Sequence, residues 1–346
     1  MARAKIISVI NYKGGVGKTV SSFNIAAGLN FLNNNKVLLI DLDPQCSLST
    51  ICMKAYSKTI GEYRKFSQLQ EEETINHVFR TYLNEDILDF NLPINLDLLI
   101  KRDFYKSDYH HLKGFDFIPA TMLVNSRQGG IIAGLEDIDR DIRKSYGEGA
   151  NSQLKRLSIL AKFLNDTNLD NQYDFIIFDC PPTNNYITQN ALFVSSHYLI
   201  PTMMDEMGIR GADHVRNIVE KKDIFELCRT YDTLIRTSPS SSYLSYLKSG
   251  VPKMIGIVET LKKSGTNTDQ LRTTVEARFQ KMLFNSVIEN QIEISRLTGN
   301  GECCFVKPKG STKVKPNEMY ASLVFELLER LGIQKSEHAR CINDYL

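Results

Sequence analysis

The chain has 346 residues, 42% hydrophobic and 24% charged, with a formal net charge of +2. That length can bury one large core or two modest ones, and the composition excludes a disordered, collagen-like or disulfide-stapled protein. So small a net charge leaves any nucleic-acid binding to a local patch rather than to global attraction.

In chain order, Met1–Lys5 lacks the pattern of a signal peptide, and Lys5–Ile10 is a β-branched run suited to a strand buried on both faces. A glycine loop follows. Thr19–Leu32 then reads as a helix with Phe23, Ala26, Ala27 and Leu29 towards a sheet. Lys36–Asp41 is the next buried strand, and strand, loop, helix and strand make a βαβ unit with a right-handed crossover. Further strands are predicted at Leu96–Ile100, Phe115–Pro119, Asp174–Asp179, His197–Pro201 and Lys253–Val258. Helices are predicted at Thr74–Leu83, Ser152–Asn165, Gly208–Lys222, Asp269–Lys281 and Asn317–Leu331. The alternation indicates an α/β fold: a doubly wound, mainly parallel sheet with helices on both faces. One domain over residues 1–335 is expected, with insertions at 55–112 and 229–252 and a tail at 336–346. No apolar run is long enough to span a bilayer. The seven cysteines (46, 52, 180, 228, 303, 304 and 341) form no C-x-x-C pair, so reduced thiols and a cytoplasmic location are expected. The adjacent Cys303 and Cys304 have no histidine at ligand spacing beside them, so no metal centre is expected there.

Three motifs carry chemistry. Lys13-Gly-Gly-Val-Gly-Lys-Thr19 fits the phosphate-loop pattern in shifted form, with Lys13 where the first glycine would stand. Gly14, Gly15 and Gly17 let the backbone curl into an anion nest together with Val16. The helix that begins near Lys18 and runs through Val20 lends its positive end. Lys18 can reach the β- and γ-phosphates, and the Thr19 hydroxyl can ligate Mg²⁺. Asp41-Leu-Asp-Pro44 closes the second strand, where alternation places Asp41 and Asp43 on one side. One carboxylate can orient or deprotonate water while the other holds the Mg²⁺ shell. Phe175–Asp179 is an apolar run ending in a carboxylate, placing Asp179 at the same metal. Cys180–Thr183 forms a rigid turn into Asn184–Asn190, a register suited to sensing the γ-phosphate.

With these motifs in place, the chain resembles the ParA/MinD superfamily of deviant Walker A ATPases, and within it the ParA-type partition ATPases. The resemblance rests on Asn11–Thr19, Val37–Gln45, Tyr173–Pro182 and Thr188–Leu192 and extends over roughly residues 5–332. It implies MgATP binding in an ATP-dependent homodimer, with Lys13 crossing to the partner's phosphates. It also implies that Asp43 positions the attacking water and that Asp179 belongs to the Mg²⁺ site. Hydrolysis would be slow alone and stimulated by a ParB-like activator, serving plasmid or chromosome partitioning. Two places depart from the family: Glu289 stands where a proline is usual, and Asn184-Asn185 replaces Leu-Gly. Non-specific DNA binding by the ATP dimer is expected from Lys307–Lys315, supported by Lys262, Lys263, Arg272, Arg278 and Lys281. The tail after Leu331 lacks the basic amphipathic helix of MinD-like members, so no membrane partner is expected. The alternative is an ATP-regulated assembly or positioning protein that acts on protein partners without DNA.

Overall fold

Short strands buried on both faces organise the chain. The computed structural model describes residues 3–88, 93–108, 110–122, 124–125, 131–145, 147, 150–237, 250–305, 315–337 and 339–340. β1 (Lys5–Val9), α1 (Lys18–Asn33) and β2 (Val37–Asp41) form the first βαβ unit. α2 (Ser47–Ile60), α3 (Ile75–Leu88) and α4 (Leu96–Leu99) lead to β3 (Phe115–Ile118). A two-residue antiparallel pair, β4 (Val124–Asn125) with β5 (Ile131–Ile132), precedes α5 (Leu135–Ser145), α6 (Ala150–Leu157) and α7 (Ile159–Thr167). Then come β6 (Phe175–Asp179), α8 (Tyr186–Val194), β7 (His197–Thr202), α9 (Glu206–Glu220) and α10 (Asp223–Thr237). β8 (Lys253–Lys262), α11 (Asp269–Phe279), β9 (Leu283–Glu289), α12 (Ile292–Gly299) and α13 (Lys315–Arg330) complete the order.

The main sheet has seven strands in the order β3-β2-β6-β1-β7-β8-β9, and every pairing is parallel. Alternation along each strand sends side chains to opposite faces, and both faces are covered. Ile7, Val9, Leu39 and Ile177 join Phe23 and Leu29 of α1 and Val324 of α13 in one core. Ile6, Leu38, Ile40 and Phe178 join α3, α7, α8 and α9 in the other. This is the doubly wound fold expected from the sequence, with the sheet wholly rather than mainly parallel. The switch point lies at β1, which pairs with β6 on one side and β7 on the other. In such sheets ligands bind beyond the carboxyl ends of the strands at that point.

The structure corrects several local expectations. Leu96–Ile100, predicted as a strand, is instead the single turn α4. The Asn95 side chain accepts from the Asp97 and Leu98 amides there, and a run so short has no decisive period. The helix predicted over Ser152–Asn165 breaks at Ser158. Asn190 of α8 fills the break, donating to the Arg156 carbonyl at 2.7 Å and accepting the Leu160 amide at 3.3 Å. α3 extends to Leu88, and its Ile75, Val78 and Phe79 are fully buried in the same core as Ile40. The 55–112 segment therefore contributes to the main core. In the 229–252 segment α10 covers the start, whereas residues 238–242 lie outside the described residues. β9 had no strand assignment from sequence. It is an edge strand, and the Glu326 carboxylate of α13 accepts from the Asn285 and Ser286 amides, both at 2.9 Å.

α1 crosses α13 at Gly28, where an added Cβ would lie 2.7 Å from Val324 Cγ2 and 3.0 Å from Phe305. Alanine would gain about 1 kcal/mol of helix propensity, but overpacking costs about 1–3 kcal/mol. Gly28→Ala should therefore lower stability in urea titrations. Combining it with Val324→Ala should cost less than the sum of the two single changes.

Candidate functional site

The loop after β1 is held from beneath before it can hold anything else. Asn11 is fully buried; its Nδ2 donates to the Pro201 carbonyl and its Oδ1 accepts the Lys13 amide, both at 2.9 Å. Gly15 and Gly17 adopt φ of 72° and 77°, a region that strains any side chain. The Val16 carbonyl accepts the Thr260 hydroxyl at 2.7 Å, so the tip of β8 fixes the loop from the far side. Gly17 caps α1 without a side-chain acceptor, and the first turn of that 16-residue helix has no acidic residue. Its leading amides and positive dipole end are thus left for an external anion.

Lys18 is buried, and its Nζ donates to the Lys13 carbonyl at 3.3 Å. Burial lowers its pKa, while the nearby Asp179 and Asp43 carboxylates work to raise it. Asp179 ends β6 with 1% of its surface exposed. Its Oδ1 accepts the Ser22 hydroxyl at 2.8 Å, and its Oδ2 is buried without a hydrogen-bond partner. Burial pushes the Asp179 carboxyl up to about 6, hydrogen bonds from Thr19 and Ser22 pull it down, and Asp43 pushes it up again. A buried carboxylate oxygen left unsatisfied calls for a partner. With the Thr19 hydroxyl and Asp43 close by, the hard oxygen donors suit a magnesium ion. Lys18 and the glycine-loop amides likewise suit the phosphates of a nucleotide.

The two carboxylates of β2 and its end divide. Asp41 is fully buried, and its Oδ2 accepts the amide and hydroxyl of Ser49, both at 2.7 Å. Its Oδ1 accepts the Asp43 amide at 3.0 Å. Burial and Asp179 raise its pKa to about 8 against those hydrogen bonds. Asp41 is thus committed to fixing the turn into α2, and a phosphate-side role is not its own. Asp43 lies just past the strand, half-buried, and its Oδ1 accepts the Gln45 amide at 2.9 Å. The structure therefore gathers Gly14, Gly15, Val16, Gly17, Lys18, Thr19, Val20, Asp43 and Asp179 at the carboxyl ends of the interior strands β1, β2 and β6. Lys13 reaches elsewhere within its own chain: its Nζ lies 2.8 and 2.6 Å from the two Asp205 carboxylate oxygens. In the expected γ-phosphate register, Asn185 caps α8 by accepting the Thr188 amide, and Asn184 donates to Asp223 at 2.7 Å.

Sequence reasoning missed Ser22, Ser49, Thr260 and Asp205. Ser22 was within reach, because it stands one helical turn after Lys18 on the same face. Asp205 carried a signal too, since it follows a buried strand and precedes a helix as a cap should. Cys303 and Cys304 are buried free thiols, and no metal-binding group of His, Cys, Asp and Glu occurs among the described residues. No described helix is long and apolar enough to cross a membrane. Residues 307–314 lie outside the described residues, and Lys315 begins α13.

Parallel sheet, switch-point glycine loop and strand-end carboxylates together define a P-loop nucleoside triphosphatase fold. The family model described as an AAA domain matches residues 4–114 and 146–226. That is more than half of the chain, which belongs to this family and, with its ParA relatives, to the ParA/MinD superfamily. A virulence plasmid ParA family protein of Chlamydia psittaci is 29% identical over 82% of this chain and 86% of its own length. The ATP complex of Cyanothece McdA superposes with a TM-score of 0.59 at 15% identity, covering 96% of this chain and 98% of its own. A plasmid partition protein from Borrelia burgdorferi gives 0.52 at 18% identity, covering 95% and 100%. At such identities the structural likenesses concern the fold alone.

Asp41→Ala would leave the Ser49 amide and hydroxyl and the Asp43 amide without their acceptor. The expected loss is about 2–4 kcal/mol of stability in chemical denaturation.

Proposed function

We propose that this chain is a cytoplasmic, magnesium-dependent ATPase that dimerises around its nucleotide and acts in partitioning plasmid or chromosomal DNA. The unpartnered Asp179 oxygen beside Lys18 and Thr19, below a helix end with no acidic first turn, carries the nucleotide part of the reading. A relative named as a virulence plasmid ParA family protein supports the biological part.

In this reading the glycine-loop amides and Lys18 hold the phosphates. Thr19, Asp43 and Asp179 hold Mg²⁺, which would neutralise charge on the transferring phosphoryl group. Asp43, half-buried at the mouth, orients the attacking water. Lys13 supplies its cation to the nucleotide of the other protomer, so transition-state stabilisation waits on assembly. Slow hydrolysis stimulated by a ParB-like activator fits a site completed only in the dimer.

For DNA, the exposed candidates among the described residues are Lys263 and Lys281, with the half-buried Lys262. Two other basic residues are already engaged. Arg272 is paired at 2.6 Å with the fully buried Glu259, and Arg278 at 2.5 Å with Asp213. That internal pairing favours the second reading, ATP-controlled assembly with protein partners and no DNA.

Lys18→Ala and Asp43→Ala should each lower ATP hydrolysis by about 100-fold or more, and full activity in both would overturn the site. Light scattering should find a monomer without nucleotide and a dimer with MgATP in the Asp43→Ala variant. Gel shifts should show ATP-dependent retention of DNA that weakens steeply with salt; the absence of any retention would select the protein-partner reading.

A further inference from the structure

The residue expected to serve the other protomer is occupied at home. Both oxygens of Asp205 face Lys13 Nζ, at 2.8 and 2.6 Å, and the lysine side chain is only 23% exposed. The carboxylate has a second task as the N-cap of α9, where its Oδ1 accepts the Gly208 amide at 2.6 Å. Glycine is required at that amide because a Cβ would collide with the Met203 carbonyl. Burial works to raise the Asp205 pKa, yet the hydrogen bonds from Lys13 and the Gly208 amide outweigh it and hold the carboxyl below its ordinary value.

The contact belongs to a wider seam between the glycine loop and the start of α9. Asn11 ties the Lys13 amide to the Pro201 carbonyl near the end of β7. One turn into α9, a Cβ on Gly211 would lie 3.0 Å from Asn11 Oδ1 and 3.9 Å from Lys13 Cβ. The helix thus lies directly against the loop that carries the lysine. Around this seam, α9 presents Met207, 70% exposed, and the Glu206 and Arg210 side chains, 81% and 78% exposed.

We propose that Asp205 is a positioning residue that holds Lys13 on its own protomer and so opposes transfer of the lysine to a partner's nucleotide until ATP drives the exchange. The inference rests on the dimer reading above and adds what restrains the lysine before assembly. Release strands no buried carboxylate, because Asp205 keeps the Gly208 amide when the lysine leaves. A half-exposed pair of this kind sets a modest threshold rather than a block. Losing the Asp205 contact thereby becomes part of the free-energy cost of moving Lys13 to the partner.

The experiment uses the full chain. Asp205→Asn removes the charge but keeps a good helix cap, and Asp205→Ser does the same with a shorter side chain, guarding against a folding defect in either. Light scattering would follow the MgATP concentration at half-dimerisation, and reductive methylation read by mass spectrometry would report Lys13 amine reactivity without nucleotide. Both variants should dimerise at about two- to fivefold lower MgATP, with a faster-reacting Lys13, whereas Lys13→Ala should show no such gain from Asp205→Asn. A wild-type protein that dimerises with ATP, and variants whose midpoints match it, would overturn the restraint alone. If the wild type and both variants stay monomeric in MgATP, the dimer reading falls and the restraint with it.

Discussion

At the centre of the sheet, Asp179 stands in register with Val9 on one side and Asp41 on the other. That alignment of three parallel strand ends governs everything built on it. It brings the base of the glycine loop, a buried carboxylate and the turn into α2 to the carboxyl ends of these strands. Burying Asp179 is offset partly by Ser22 and Thr19 and left uncompensated at Oδ2. An unsatisfied buried carboxylate is a liability in an isolated fold, one that a bound cation would relieve.

The two carboxylates of Asp41-Leu-Asp43 show how one short motif separates into different tasks. Asp41 commits its oxygens to Ser49 and the Asp43 amide and stiffens the turn. Asp43, just beyond the buried strand, keeps access to the mouth of the site. Rigidity behind the site and freedom at its lip arise from a step of two residues. The glycine loop is restrained in the same way, by Asn11 below and Thr260 at the side, so its amides are set before any ligand arrives.

Away from the candidate site, α13 closes the fold. Glu326 accepts the free amides of edge strand β9, a cover that blunts an exposed sheet edge. Arg330 donates to the Leu283 carbonyl at 2.6 Å and stacks 4.0 Å over Phe284. α13 therefore both buries its apolar face and seals the last strand.

Fold class and most of the candidate site were legible in the order of residues alone. Buried strands, the loop Lys13–Thr19 and the strand-end Asp43 and Asp179 are local patterns, and local patterns can be read because period and glycine spacing encode backbone geometry directly. Residue order could not tell that Leu96–Ile100 would turn into a helix, since five residues carry too little period and Asn95 supplied the cap. Nor could it tell that Asn190 would fill a helix break some thirty residues upstream, or that Asp41 would belong to Ser49. The partner of Lys13 was equally hidden, because Asp205 is 192 positions away and meets it only when β7 lies beside β1. The Asn95 and Asp41 contacts are close in the chain, but which local partner wins depends on the packing around it. The Asn190 and Asp205 contacts belong to tertiary structure outright, because in a parallel sheet a polar side chain finds partners on strands and helices remote in the chain.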